Sequence, residues 1–273
     1  MSVLKDEMSE QRIGNPWQTL RRIRERGPLI HAIANFVAAD LTANLLLAVG
    51  ASATMAHRGE EVEDFVALAD ALSINLGTLS NDRIEPMVAA ARSAVELGKP
   101  WTLDPVAVGS SLERRDVASR LAGLQPTVIR GNAGEILSLG DAEEMAAGVD
   151  SLIDSAEALD AARDLARSTG ATVAVTGAVD YVTDGERILA VANGHPLMVR
   201  VTGVGCGLTA LIASCCAVEP DVMTATAHAL SILGLAGEIA ASDAVGPASF
   251  RVRLIDCLYN IDEETLETGA RIQ

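Results

Sequence analysis

The sequence predicts an α/β fold in which a central, mainly parallel sheet carries helices on both faces. Three observations lead there. Short apolar runs such as Ala71 to Leu76 and Thr172 to Thr176 recur without polar–apolar alternation, the pattern of strands covered on both sides. Helical stretches separate these runs, as the crossovers of a parallel sheet do. Polar residues collect where the runs end: Asn35, Asn75, Asp104, Arg130 with Asn132 and Glu135, and Thr176. The carboxyl ends of strands are where open α/β sheets bind ligands.

In chain order, Met1 to Pro16 reads as a loosely ordered polar leader without the apolar core of a signal peptide. An amphipathic basic helix follows from Trp17 to about Arg26, and Pro28 to Asn35 is the first buried strand. Asp40 to Ala48 is helical, Ala51 to Ala56 a short strand, Val62 to Asp70 a helix and Ala71 to Leu76 a strand. Asn81 is placed to cap a helix running to about Leu97, which Gly98 and Pro100 stop. Trp101 to Asp104 is a strand that Pro105 turns into a loop closing at Gly109. Thr127 to Arg130 is another, leading to a short helix with Glu135. Asp141 to Asp154 reads as an acidic surface excursion, and a helix to about Arg167 precedes the strand Thr172 to Thr176. Asp184-Gly185 marks a hairpin turn, and helices dominate after Gly203. Residues 17–273 are expected to form one domain, because 273 residues suit one large domain and no Pro-, Ser- or Gly-rich linker divides them.

A formal net charge of −16 repels a nucleic-acid backbone, so nucleic-acid binding is not expected. The longest apolar runs, such as Val201 to Val218, are interrupted by glycines and read as core helices rather than membrane spans. Four cysteines, Cys206, Cys215, Cys216 and Cys257, form no C-x-x-C pair, and a reducing cytoplasm suits them. The only lysines are Lys5 and Lys99. A phosphate ligand would therefore have to meet arginine, backbone amides or a metal ion.

The stretch around which these features gather is Val201 to Ala210. It reads as a strand, a turn with Gly203, Gly205 and Gly207 at alternate positions, and the start of an apolar helix. Free amides and the positive dipole end of such a helix hold anions, and Cys206 would sit at the mouth of that site. The same glycines also serve tight packing, and a cysteine on the first turn of an apolar helix is more often a small buried hydrophobe. Asp104-Pro105 is either a turn initiator or a carboxylate that holds Mg²⁺ through water. Asn132 and Glu135 have the spacing of a reciprocal helix cap, and Arg130 beside them can reach a phosphate; both uses are compatible. His31 reads as a satisfied core histidine, Met55 as core packing before pocket wall, and the histidines lack metal-ligand spacing.

Taken as an ordered set, Gly50 to Met55, Asn75 to Leu79, Leu103 to Val106, Ile129 to Glu135, Val175 to Gly177 and Val201 to Cys206 resemble the hydroxyethylthiazole kinases of thiamine salvage, which have the ribokinase-like fold. The resemblance runs from about Pro28 to Tyr259. It implies a kinase using ATP and Mg²⁺ to phosphorylate the primary alcohol of 4-methyl-5-(2-hydroxyethyl)thiazole. By motif position it implies that Met55 and Gly203 contact the thiazole, with Asn35 in the first substrate-side stretch, and that Arg130 and Thr176 contact ATP. Asp104 and Glu135 match acidic positions associated with metal and phosphates. Gly203 to Cys206, including Gly205, would form the anion hole, with Cys206 where many ribokinase-like relatives carry an aspartate base. The resemblance also implies a homotrimer with the thiazole site at a subunit interface. Two positions depart from the family pattern: Ala34 precedes Asn35 where a threonine is usual, and Ala248 replaces a usual glycine. Alternatives are a kinase for another heterocyclic or sugar alcohol, a nucleotide-dependent lyase of the same fold, a thiol enzyme using Cys206 as nucleophile, and a vitamin-binding protein without turnover.

Overall fold

The computed structural model describes residues 13–140 and 153–273. Residues 141–152 of the predicted acidic excursion and 1–12 of the predicted leader lie outside the described residues. Among the described residues eight strands form one sheet: β1 (Leu29–Ile33), β2 (Ser52–Thr54), β3 (Ala71–Asn75), β4 (Trp101–Asp104), β5 (Val128–Asn132), β6 (Thr172–Thr176), β7 (Asp180–Thr183) and β8 (Ile188–Val191). Their order is β2-β1-β3-β4-β5-β6-β7-β8. The first six are parallel, and β7 and β8 add an antiparallel hairpin through the Asp184-Gly185 turn.

Eleven α-helices are present among the described residues: α1 (Pro16–Arg26), α2 (Ala39–Ala48), α3 (Val62–Leu68), α4 (Asn81–Glu96), α5 (Leu112–Ala122), α6 (Ala133–Gly140), α7 (Leu159–Thr169), α8 (Val204–Cys216), α9 (Val222–Ser242), α10 (Pro247–Asn260) and α11 (Glu263–Gly269). Successive strand residues point to opposite faces, so each strand feeds two cores. Ala71, Val128 and Ala174 join Leu20, Leu41, Leu211, Leu230 and Phe250 on the side of α1, α2, α8, α9 and α10. Leu72, Ile129 and Val173 join Val66, Met87, Leu121, Ile136 and Ala162 on the side of α3 to α7. Helix α9 is long and apolar enough to cross a membrane, yet 78% of its most apolar window is buried inside the protein. It is a central core helix.

Four predicted details are corrected. Helix α1 begins at Pro16 rather than Trp17, capped by Asn15, whose side chain accepts from the Trp17 amide. The residue before α4 in the capping position is Ser80, so Asn81 is already helical. Helix α5 was not anticipated between Gly109 and Thr127. Val201 is not in a strand: a 3-10 turn, Pro196–Arg200, leads straight into the glycine segment. Pro196 starts that turn, and the sheet ends at β8, which leaves Val201 no neighbour to pair with.

Candidate active site

The parallel register brings the ends of β3 and β4 level, with Asn75 opposite Asp104, and the ends of β5 and β6 level, with Asn132 opposite Thr176. From these ends a continuous polar network is built. Asn35, just beyond β1 and 2% exposed, donates from Nδ2 to Asn75 Oδ1 (2.8 Å) and to Cys206 Sγ (3.3 Å). Its Oδ1 accepts from the Ala38 amide (2.9 Å), which shapes the turn into α2. Asn75 in turn donates from Nδ2 to Asp104 Oδ2 (2.7 Å). Thr209, one turn along α8 from Gly205, adds a hydroxyl donor to the same oxygen at 3.1 Å. Gly77 must be glycine here, because a Cβ would stand 2.6 Å from Asn35 Nδ2.

Asp104 is fully buried and lies 3.8 Å from Arg130 Nη1. Burial pushes its carboxyl up to about 7; Arg130 opposes this, and Glu135 reinforces it. Its second oxygen, Oδ1, is buried with no hydrogen-bond partner. Arg130 donates from Nη2 to Thr176 Oγ1 (2.8 Å), which donates onward to the Gly131 carbonyl (3.2 Å). Gly205 lets α8 pass close to this guanidinium, since a Cβ there would meet Arg130 Nη1 at 2.9 Å.

Glu135 forms the expected reciprocal cap: its Oε2 accepts from the Asn132 amide and its own amide donates to Asn132 Oδ1, both at 2.9 Å. Its other oxygen accepts from the Ala107 amide (3.0 Å), which ties the loop after Asp104 to the start of α6. Gly203 caps α8 with φ of 94° and packs on Ala38. Gly207 closes the first helical bond onto Gly203. A bound anion can then meet the amides of Gly205 and Cys206 in the first turn.

Cys206 is half-buried beside this helix start. Burial, with Asp104 adding to it, pushes its thiol up to about 11, outweighing Arg130 and the Asn35 and Asn75 bonds. A thiol enzyme using Cys206, one of the alternatives open from sequence, needs a lowered thiol, so a nucleophilic thiolate is not what the site prepares. Met55 stands apart from the network, beyond the edge strand β2, where His31 Nε2 bonds the following Ala56 carbonyl (2.8 Å). His31 is buried in the core as expected, but only this nitrogen is paired; Nδ1 is buried without a hydrogen-bond partner.

Three contributors went unread in the sequence. Thr209 is visible only as the residue four beyond Gly205 on one helix face. Asp180 accepts from the Gly177 amide (2.9 Å) and is pushed up to about 7 by burial, Arg130 opposing. Its Gly-x-x-Asp spacing was the available signal. Arg83, 2% exposed in the first turn of α4, donates to the Ala34 carbonyl (2.6 Å) and to Thr78 Oγ1 (3.3 Å). Among the described residues no group of three His, Cys, Asp or Glu is arranged to hold a metal ion alone.

A parallel sheet extended by an antiparallel hairpin, with a buried carboxylate, an arginine and a glycine-led helix start at its carboxyl edge, defines an α/β kinase of ribokinase-like fold. The same fold appears at low identity in a pyridoxal kinase of Bacillus subtilis (TM-score 0.58, 20% identity, 77% of this chain and 91% of that one). A model of the hydroxyethylthiazole kinase family matches residues 20–264, and the chain belongs to that family. It is 52% identical to the hydroxyethylthiazole kinase of Cereibacter sphaeroides, over 93% of this chain and 97% of that one. With that of Granulibacter bethesdensis it shares 49% identity over 97% and 98%. A structure of the hydroxyethylthiazole kinase protein from Pyrococcus horikoshii OT3 matches with a TM-score of 0.88 at 44% identity, covering 94% of this chain and 98% of that one.

Proposed function

We propose that the chain transfers the γ-phosphoryl group of ATP to the hydroxyethyl oxygen of 4-methyl-5-(2-hydroxyethyl)thiazole, in thiamine salvage. The observation that carries this reading is the bonded chain Asn35–Asn75–Asp104, flanked by Cys206 on one side and Arg130 with Thr176 on the other. It separates an alcohol side from a nucleotide side. Asn35 and Met55, with Gly203, frame the alcohol; Arg130, Thr176 and the Gly205 amide receive the triphosphate.

Mg²⁺ fits this donor set. Asp104 offers a buried oxygen with no other partner, and each Glu135 oxygen spends one bond on a backbone amide and keeps capacity for a metal-bound water. When bound with the nucleotide, the ion would neutralise phosphate charge. Arg130 contributes charge-assisted bonds in the same place. Cys206, protonated through the neutral range, acts as a hydrogen-bonding neighbour that orients the alcohol. Phosphoryl transfer depends chiefly on alignment and charge stabilisation, so a strong base is not required.

Residues 17–273 serve as one kinase domain in this reading. The family resemblance supports a cytoplasmic homotrimer with the thiazole at a subunit boundary. A coupled assay for ADP formation from MgATP over a panel of alcohols tests the proposal. The thiazole alcohol is expected to give the highest kcat/KM, and the absence of thiazole-dependent ADP overturns the reading.

A further inference from the structure

The turn that carries Asn35 also carries Phe36, a residue 63% exposed although it packs on the buried Arg83. The Arg83 guanidinium lies 4.7 Å from the Phe36 ring centroid, stacked as a cation against an aromatic face. The same guanidinium bonds the Ala34 carbonyl and Thr78 Oγ1. Thr78 Oγ1 also accepts from the Phe36 amide (3.1 Å). Thr78 adopts φ of 48°, a left-handed conformation that a β-branched residue reaches only under constraint. Arg83 therefore pins the turn after β1 to the turn after β3, the two turns that hold Asn35 and Gly77.

The His57 ring also meets Phe36 in an edge-to-face arrangement at 5.9 Å, and His57 Nδ1 lies 3.3 Å from the Met55 carbonyl. The ring is thus set between the Asn35 turn and the Met55 segment, the two stretches assigned to the alcohol. An exposed aromatic ring fixed by a buried arginine loses little freedom when a flat ligand covers it. Burying an arginine here costs free energy that turn geometry alone, available from Gly and Asn, does not require.

We propose that Phe36 is the platform on which the heteroaromatic ring of the alcohol substrate rests, and that Arg83 is the positioning residue that sets it. The inference rests on the proposed assignment of this crevice to a heteroaromatic alcohol. It adds two residues of this chain that select the ring, as distinct from those that meet its hydroxyl.

The test pairs calorimetric titration of the thiazole alcohol, without nucleotide, with steady-state kinetics. Phe36→Ala is expected to raise the Kd and KM for the alcohol about three- to tenfold, the worth of one aromatic contact, with the KM for MgATP unchanged. Phe36→Tyr should restore the parent values. Arg83→Lys, which keeps the charge but not the planar fork, should move the alcohol constants in the same direction as Phe36→Ala. An unchanged alcohol Kd in Phe36→Ala overturns the inference, as does a parallel rise in both KM values. A fall in assembly mass by light scattering that accompanies the loss would make Phe36 a subunit contact and overturn it too. Failure of the parent to bind the thiazole alcohol at all would sink the crevice assignment instead. Parent binding that Phe36→Ala leaves intact sinks only the platform.

Discussion

The two ends of the sheet hold their polar side chains in different ways. At the amino end side chains complete the backbone: Lys99 Nζ donates to the carbonyls of Val66, Ala67 and Ala69 at 2.6–2.8 Å, closing the end of α3. Asp70 likewise accepts the Leu29 amide, and Thr127 Oγ1 accepts the Trp101 amide. At the carboxyl end side chains also bond one another, in a chain through Asn35, Asn75, Asp104 and Thr209. This end leaves Asp104 Oδ1 and Arg130 Nε buried without partners, as the amino end leaves Trp101 Nε1, but only here do the unpaired atoms belong to two charged groups beside each other. Polar groups buried only for stability are normally satisfied in full. Lys99 is thus committed to structure, and Arg130 is the cation that the proposed reading assigns to the nucleotide.

If that contrast is right, substitutions at the carboxyl end change kinetics and those at the amino end change stability. The largest effect is expected for Asp104→Asn, with kcat reduced by about 10²- to 10³-fold, the range seen when one preorganised charge-stabilising group is removed. Its stability should move the other way. The folded carboxyl is raised to about 7 by burial, so folding takes up a proton between about pH 4 and pH 7. The contribution of Asp104 to stability therefore falls as pH rises through that window and stays low above it. Melting curves without ligands should show Asp104→Asn gaining on the parent from pH 5 to pH 8. A constant difference across that range would refute the shift.

Arg130→Ala comes next. Loss of a charge-assisted contact is worth roughly 1.5–3 kcal/mol, or about one to two decades in kcat/KM for ATP. The alcohol Kd measured without nucleotide should stay as in the parent; equal losses for both substrates would mean that the network has collapsed rather than lost a ligand contact.

A smaller effect is expected for Cys206→Ala, slower than the parent but measurable. With the thiol at about 11, catalysis by its thiolate would make the rate climb about tenfold per pH unit through pH 7–9. Control by Asp104 would instead level the rate above about pH 7. The parent profile is expected to level. A continuing rise that Cys206→Ala abolishes would restore the thiolate as base.

The smallest kinetic effect should come from Lys99→Met at the amino end. It removes three donors from the end of α3 and should lower stability by about 1–2 kcal/mol, read from denaturant unfolding. Both KM values should match the parent, and a shift in either would erase the distinction between the two ends.

The sheet was legible because most of its parallel strands are short apolar runs closed by polar residues, and that pattern depends only on neighbours in sequence. Helix α5 was not, because it buries only Val117, Ala118, Leu121 and Ala122 and spends much of its length on charged residues, so its apolar stripe is thin. Val201 misled because a β-branched apolar residue looks like a strand until the sheet is known to end before it. The Asn132–Glu135 cap was readable from spacing alone. Thr209 and Arg83 were not: Thr209 meets a carboxylate 105 residues away, and Arg83 a carbonyl 49 residues away. Cys206 shows a third kind of gap. Its helix terminus could be read from the glycines, but the burial that outweighs it depends on everything packed around it.

The Lys99 contacts also bear on how this protein responds to chemical probes. Outside residues 1–12 it is the one lysine of the chain. Its nitrogen is held by three hydrogen bonds to the end of α3, so an amine-specific reagent competes with those bonds for it. The rate at which Lys99 is acylated therefore reports on how firmly that corner of the sheet is closed.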